Sequence, residues 1–392
     1  MSTLKVGGIR GVSASSDAIT VANDGTCSAN ITNNLSNRNK VINGAALVSQ
    51  RGTITDHGTS VKYTAVDRFC TRIGTSFNFD ITSSQSTDAP AGFQHSLKLS
   101  PDSTQTPSGS ANGGIQTKLE GQDLQDFAFG TSSAKPMTLS FYAKSGSAGA
   151  GTYSIEMQWV STGGSLYHQT RAFTITSSWQ RFTFSFAANG GSTSQAMKSD
   201  NSDTVRIIWH LASGPDDETS AITTWTNTGA MKTITGMDNF MSSTSNEFYI
   251  TGVQLEVDDQ GTGVATDFEH RSFAKELALC QRYYFRFTTA VAGTHVAMGH
   301  QMTSSAAKII LPFPTSMRTR PTAVETSGTA SDYSVARTST YEICNVVPTF
   351  AGASKEVGNV NTNQTQASLS TGIAVVLRAN TTDFYLGFSA EL

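Results

Sequence analysis

Apolar and polar side chains alternate with a period of two along most of the chain. Leu139, Phe141 and Ala143 interleave with Ser140, Tyr142 and Lys144, and Tyr153, Ile155, Met157 and Trp159 with Ser154, Glu156 and Gln158. Phe182, Phe184 and Phe186 repeat the pattern, as do Val205, Ile207 and Trp209. Each run predicts a strand with one face buried. Gly, Ser, Asn and Asp clusters at 145–151, 161–165, 188–203 and 212–220 separate the runs and predict turns. Many short strands joined by polar turns define an all-β, antiparallel sandwich of the jelly-roll kind.

The pattern divides the chain into three. Residues 1–42 carry broken apolar content and cannot bury a core alone, so they need a partner surface or copies of themselves. Residues 43–270 hold the strongest alternation and all four tryptophans. At 271–392 a short helix comes first: Ser272 is placed to cap it, and Phe273, Leu277 and Cys280 fall on one face. Strands then resume, punctuated by Pro312, Pro314 and Pro321, and predict a smaller C-terminal β-sandwich.

Composition narrows the function. Of 392 residues, 15% are charged and 38% hydrophobic, enough for real cores at low surface charge. With 27 basic against 30 acidic residues and no basic stripe, nucleic acid is not expected as a partner. No apolar run approaches a membrane span, and the first residues lack the apolar stretch of a secretory signal. Cys27, Cys70, Cys280 and Cys344 form neither a C-x-x-C pair nor a zinc spacing, which fits synthesis in a reducing cytoplasm with free thiols. No nucleophile elbow, phosphate loop, zinc-protease motif or dinucleotide fingerprint is present, so the chain is read as a non-enzyme.

A family resemblance rests on two groups of segments. Asn37 to Ala45, Gln50-Arg51-Gly52 and Val66-Asp67-Arg68-Phe69 form the first; Phe248 to Val257, Thr266 to Phe273 and Glu276 to Tyr284 form the second. In this order they resemble tailed-bacteriophage fibre and appendage proteins, and the opening Leu4 to Arg10 with Asp17 to Thr20 is similar to virion-attachment starts, especially of marine and cyanobacterial phages. The resemblance implies that 1–42 attaches to the virion and 43–270 is a jelly roll like a carbohydrate-binding module. The C-terminal 271–392 would be a tip domain. It further implies a homotrimer on the particle surface, other virion proteins of tail or capsid as partners through 1–42, and a host cell-surface glycan as ligand. Two alternatives stay open: a capsid-attached head fibre or decoration protein, and a virion-associated polysaccharide depolymerase.

Sugar recognition needs planar donors and acceptors beside an aromatic platform. Tyr142, Lys144, Glu156, Gln158, His168 and His210 are outward in phase and are the candidate ligand-binding residues, with Trp225 in a loop as the candidate platform. The competing reading makes them solvated positions on the outer faces of the sheets. Trp159 and Trp209 share phase with the core. Asp216-Asp217-Glu218 and Asp258-Asp259 lie in loops, where jelly rolls of the implied kind often hold a structural calcium ion; the alternative is a plain acidic loop. No catalytic residue and no other cofactor is expected.

Overall fold

The computed structural model describes residues 6–12, 19–21, 23, 27–29, 36–74, 77–191, 193–227, 233–258, 261–337, 340–364 and 370–392. Three short strands, β1 (Gly8–Ile9), β2 (Ile19–Val21) and β3 (Cys27–Ala29), pair as an antiparallel sheet ahead of the body. Its side chains Val6, Ile9, Val12 and Val21 are exposed.

The body is a two-sheet sandwich. Its strands are β4 (Phe69–Gly74), β5 (Ile81–Ser86), β6 (Ser96–Pro101), β7 (Asn112–Glu120) and β8 (Met137–Ser145). There follow β9 (Gly151–Val160), β10 (Leu166–Ile175), β11 (Gln180–Phe186) and β12 (Asp203–Ser213). After a parallel pair, β13 (Glu218–Thr219) with β14 (Thr233–Ile234), comes β15 (Phe248–Val257). One sheet runs β10-β9-β12-β7-β4 and the other β11-β8-β15-β6-β5, all antiparallel. The chain crosses repeatedly from sheet to sheet, as a jelly roll requires.

The inward phase builds one core. Phe141, Ile155, Met157, Trp159, Ile207, Trp209, Phe248, Ile250, Val253 and Leu255 are all buried there, and Phe182 and Phe184 pack against it half-buried. Phe141 meets Trp209 edge-on at 5.6 Å. The inward set passes from even to odd positions along β15 because the strand bulges between Thr251 and Gln254. Gly252 makes this bulge feasible: its φ is +63°, and a Cβ would lie 2.8 Å from both Phe93 and Tyr142.

Residues 36–68 run irregularly along the sandwich and lead into β4. Beyond the sandwich, α1 (Phe273–Gln281) is capped by the Ser272 hydroxyl, which accepts from Lys275 N at 3.4 Å. Its buried face differs from the expected one. Glu276 and Cys280 are buried and Leu277 half-buried, but Phe273 is 58% exposed. Glu276 is drawn inward by bonds to Asn43 N and Arg271, which tilts the helix away from its apolar stripe.

The C-terminal strands are β16 (Tyr284–Thr288), β17 (His295–Gln301), β18 (Ala306–Pro312), β19 (Glu325–Thr326) and β20 (Tyr333–Ala336). The last four are β21 (Tyr341–Ala353), β22 (Val357–Gln364), β23 (Ala374–Ala379) and β24 (Tyr385–Ser389). The region is all-β as expected, but its main sheet is a closed barrel, β17-β18-β22-β21-β20-β23, flanked by the three-stranded sheet β16-β24-β19. This corrects the expected second sandwich. The 13-residue β21 carries three register shifts against β22, and such bulges bend a strand far enough for a sheet to close.

Candidate functional site

Four of the seven candidates converge. Glu156 and Gln158 lie on β9, His168 on β10 and His210 on β12, all facing away from the core in adjacent strands of one sheet. The Glu156 carboxylate accepts from His168 Nδ1 at 3.0 Å, from His210 Nε2 at 2.8 Å and from Gln158 Nε2 at 2.9 Å. Because an ionised carboxylate only accepts, each imidazole presents an N–H to it. Burial pushes the Glu156 carboxyl upward, but the bonds from the two histidines and Gln158 overcome this and hold it at about 2. Beyond Gln158, Arg206 Nε donates to Asp203 at 2.6 Å.

This face is dry. Ser154, Glu156, Gln158, His168, Thr170, Ile208 and His210 are all fully buried. These four candidates are closed to solvent, so they are not solvated outer-face positions, and as the sandwich stands they present no surface to a sugar. The segment after β12 helps to close the face: β14 lies against β9 and β10, while Ile222 and Thr226 pair with Thr170 and His168 along the free edge of β10. Among the described residues, His210 Nδ1, Ser154 Oγ and Gln116 Oε1 are buried without a hydrogen-bond partner. A signal for the sealing was present in the sequence: Ile207-Ile208-Trp209 breaks the alternation and puts an apolar side chain on the outer face.

The other candidates sit elsewhere. Tyr142 and Lys144 are on β8, in the opposite sheet, and are half-buried. Tyr142 packs on Phe93 at 5.4 Å, and Lys144 pairs with Asp88 at 2.5 Å while lying over Tyr249 and Trp179. Trp179, absent from the candidate set, donates to Asp88 at 3.0 Å and meets Tyr249 edge-on, so an aromatic and charged cluster marks this face. Trp225 is a half-buried cap on the end of the core. It meets Trp159 and Phe129 edge-on, and its indole donates to Ala187 O at 2.6 Å.

Asp217 and Asp258 spend oxygens on the chain itself. Asp217 accepts from Asn112 at 2.6 Å, and Asp258 from Gly263 N at 2.7 Å and Thr262 N at 3.1 Å; Asp259 lies outside the described residues. Among the described residues, no group of three or more His, Cys, Asp or Glu is placed to hold a metal ion. His295 and His300 are exposed on β17. Cys70, Cys280 and Cys344 are buried free thiols, and burial pushes Cys70 up to about 11 and Cys344 to about 12, too high for reactive thiolates.

A second constellation was not anticipated. Segments some 230 residues apart meet in one hydrogen-bonded joint. Glu269 accepts from Asn37 N at 2.6 Å and Asn39 N at 2.8 Å, and Arg271 donates to Val41 O at 3.0 Å and to Asn39 O. Asn39 also fills the β15 bulge, donating to Val253 O at 3.0 Å and accepting from Leu255 N at 3.2 Å. Asn43, at φ +61°, ties Val48 to Asp67. Arg68 lies over the Tyr283 ring at 3.4 Å and pairs with Glu391, joining the sandwich to the C-terminal region.

No protein-family model and no curated protein matches the chain. Among solved structures it is similar in part to the family 11 carbohydrate-binding module of cellulase Lic26A-Cel5E of Clostridium thermocellum, at 13% identity over 51% of this chain and 95% of that one, TM-score 0.27. It is also similar to the CBM22-1 xylan-binding domain of Paenibacillus barcinonensis Xyn10C, at 9% over 56% and 96%, TM-score 0.27. A third is the enzymatically active domain of bacteriophage CBA120 tailspike protein 4, at 12% over 56% and 21%, TM-score 0.28. At these values the matches bear on neither ligand nor reaction, and the fold rests on the strand order and register above.

Proposed function

We propose that the chain is a non-enzymatic structural appendage of a tailed-phage particle, a tail fibre that contributes to recognition of host-surface glycans. The observation that carries this reading is the joint. The segments that resemble fibre proteins, separated by the whole sandwich in sequence, are the ones that interlock through Asn39, Asn43, Glu269, Arg271 and Glu276. Such a joint ties residues 37–43 to β15 of the sandwich and to α1, as a fibre linking an attachment segment to its body requires. Ahead of it, Val6, Ile9, Val12 and Val21 are exposed, as a segment that docks to another virion protein of tail or capsid would present them.

Exposed Met298 and Ile310, paired across β17 and β18, offer a contact surface for assembly into a homotrimer. Repetition over three subunits lets a weak glycan contact act with high avidity. Glu156, ionised and closed to solvent, is not placed to serve as the general acid of a glycosidase. The test is binding of the recombinant chain to a glycan array, with oligomeric state read by light scattering. A trimer with saturable binding is expected; a folded chain that binds no glycan would overturn host recognition.

A further inference from the structure

A cavity of about 540 Å³ lies between the sandwich and the C-terminal region, lined by Arg51, Lys62, Tyr63, Arg286, Glu325 and Tyr385 among others. Its size is within the roughly 300–1,000 Å³ of small-molecule sites. Its chemistry is one-sided. Three cationic side chains and one carboxylate, Glu325, line it; Glu325 already accepts from the Tyr284 hydroxyl at 2.7 Å, and Arg51 has a second carboxylate, Glu391, behind the wall at 3.5 Å.

The cations are held in place. Arg51 is 8% exposed and its guanidinium lies 3.4 Å from the Tyr284 ring centroid, with Tyr63 on its other flank at 5.1 Å. It stands 3.5 Å from Glu391, yet its Nη1 is buried with no hydrogen-bonded acceptor. Arg286 stacks on Tyr385 at 3.7 Å and is anchored by donating to Arg51 O at 2.9 Å and to the Tyr284 hydroxyl at 3.1 Å. Lys62 stands at the rim, its ammonium donating to Asp56 O at 2.7 Å. Ile54 and Val61 supply apolar wall. Glu391 neutralises the Arg51 guanidinium in part without hydrogen-bonding its Nη1, and a carboxylate from the cavity side matches the guanidinium fork.

We infer that this cavity binds a carboxylate-bearing sugar, a uronate residue of an acidic glycan. The carboxylate would meet Arg51 and Lys62, with the ring's C–H surface against Ile54 and Val61 and its hydroxyls toward Thr326 and Ser389. The carboxylate chemistry stands on the cavity alone; that a glycan carries it rests on the host-recognition reading. Its lining shares no residue with the Glu156 cluster or the Tyr142 cluster, so it is a separate point of contact.

The test titrates the full chain calorimetrically with trigalacturonic acid, with its fully methyl-esterified form and with acetate. The acid should bind about tenfold more tightly than the ester, and Lys62→Glu should weaken it about tenfold, with Lys62→Gln intermediate. Binding should weaken with added salt. Lys62 is exposed, so an unchanged melting temperature confirms that these variants fold. Equal affinity for acid and ester, or no change in Lys62→Glu, overturns the site. Acetate competing as well as the trimer overturns the sugar and leaves a bare anion site. Array binding to neutral glycans that survives Lys62→Glu, together with no uronate binding, sinks the cavity while host recognition stands. Uronate binding with a blank array does the reverse.

Discussion

The two sheets of the sandwich begin from the same sequence pattern and end with opposite outer faces. On β8, Tyr142 and Lys144 stay half-exposed, and Lys144 pairs with an Asp88 side chain that is 45% exposed. On β9, β10 and β12 the equivalent positions hold a carboxylate, an amide and two imidazoles without contact with water. A period of two states which side of a sheet a residue occupies. It does not state what lies over that side, and energetically the cover decides everything: an exposed ion pair contributes little, whereas a buried one becomes indispensable to its partners.

The comparison can be broken at its shared core first. Trp159→Ala removes a buried ring that Tyr167, Phe129 and Trp225 all touch, and should cost about 3–5 kcal/mol by denaturant unfolding. An unchanged midpoint would mean that the core does not depend on it.

Glu156→Gln sharpens the contrast next. The new amide can satisfy at most one of the two imidazole N–H groups through its oxygen, so a loss of about 2–3 kcal/mol is expected. Acid unfolding gives the sign. The native carboxyl sits at about 2 against an ordinary 4.5, so its contribution is fully present above about 4.5 and disappears as pH falls through 2. His57 acts in a higher window: burial first, and nearby Lys62, hold it at about 4, so stability falls as pH drops from 6.5 towards 4. The variant should lose the lower transition and keep the upper one. Identical acid profiles below pH 4 in the two proteins would show that Glu156 is not held as described.

The smallest effect belongs to the wet face. Lys144→Ala should shift stability by less than about 1 kcal/mol. A loss comparable to that of Glu156→Gln would erase the distinction between the faces.

Strand positions, the inward residues and the cap at Ser272 were legible because side-chain period and turn composition are local properties. Closure of the barrel was not, since it depends on β23 pairing with both β17 and β20, a relation no local pattern carries. Phe273 was misassigned because apolar periodicity was read without the pull of Glu276 on Asn43. The sealing of Glu156 was half-legible: Ile208 announced a covered outer face, but nothing along β9 named the cover. The cavity beneath Arg51 was invisible, because its walls come from residues 51–63, 286, 325–326 and 385–389.

The ties between Asn39 and Arg271 carry a mechanical consequence. They connect points 232 residues apart, and the sandwich is the loop between them. Asn39 is at the same time bonded to Val253 and Leu255 of β15, so a load on residues 37–41 divides between the sandwich and the segment leading into α1. Pulling on this segment would thus load the joint and the β15 bulge together.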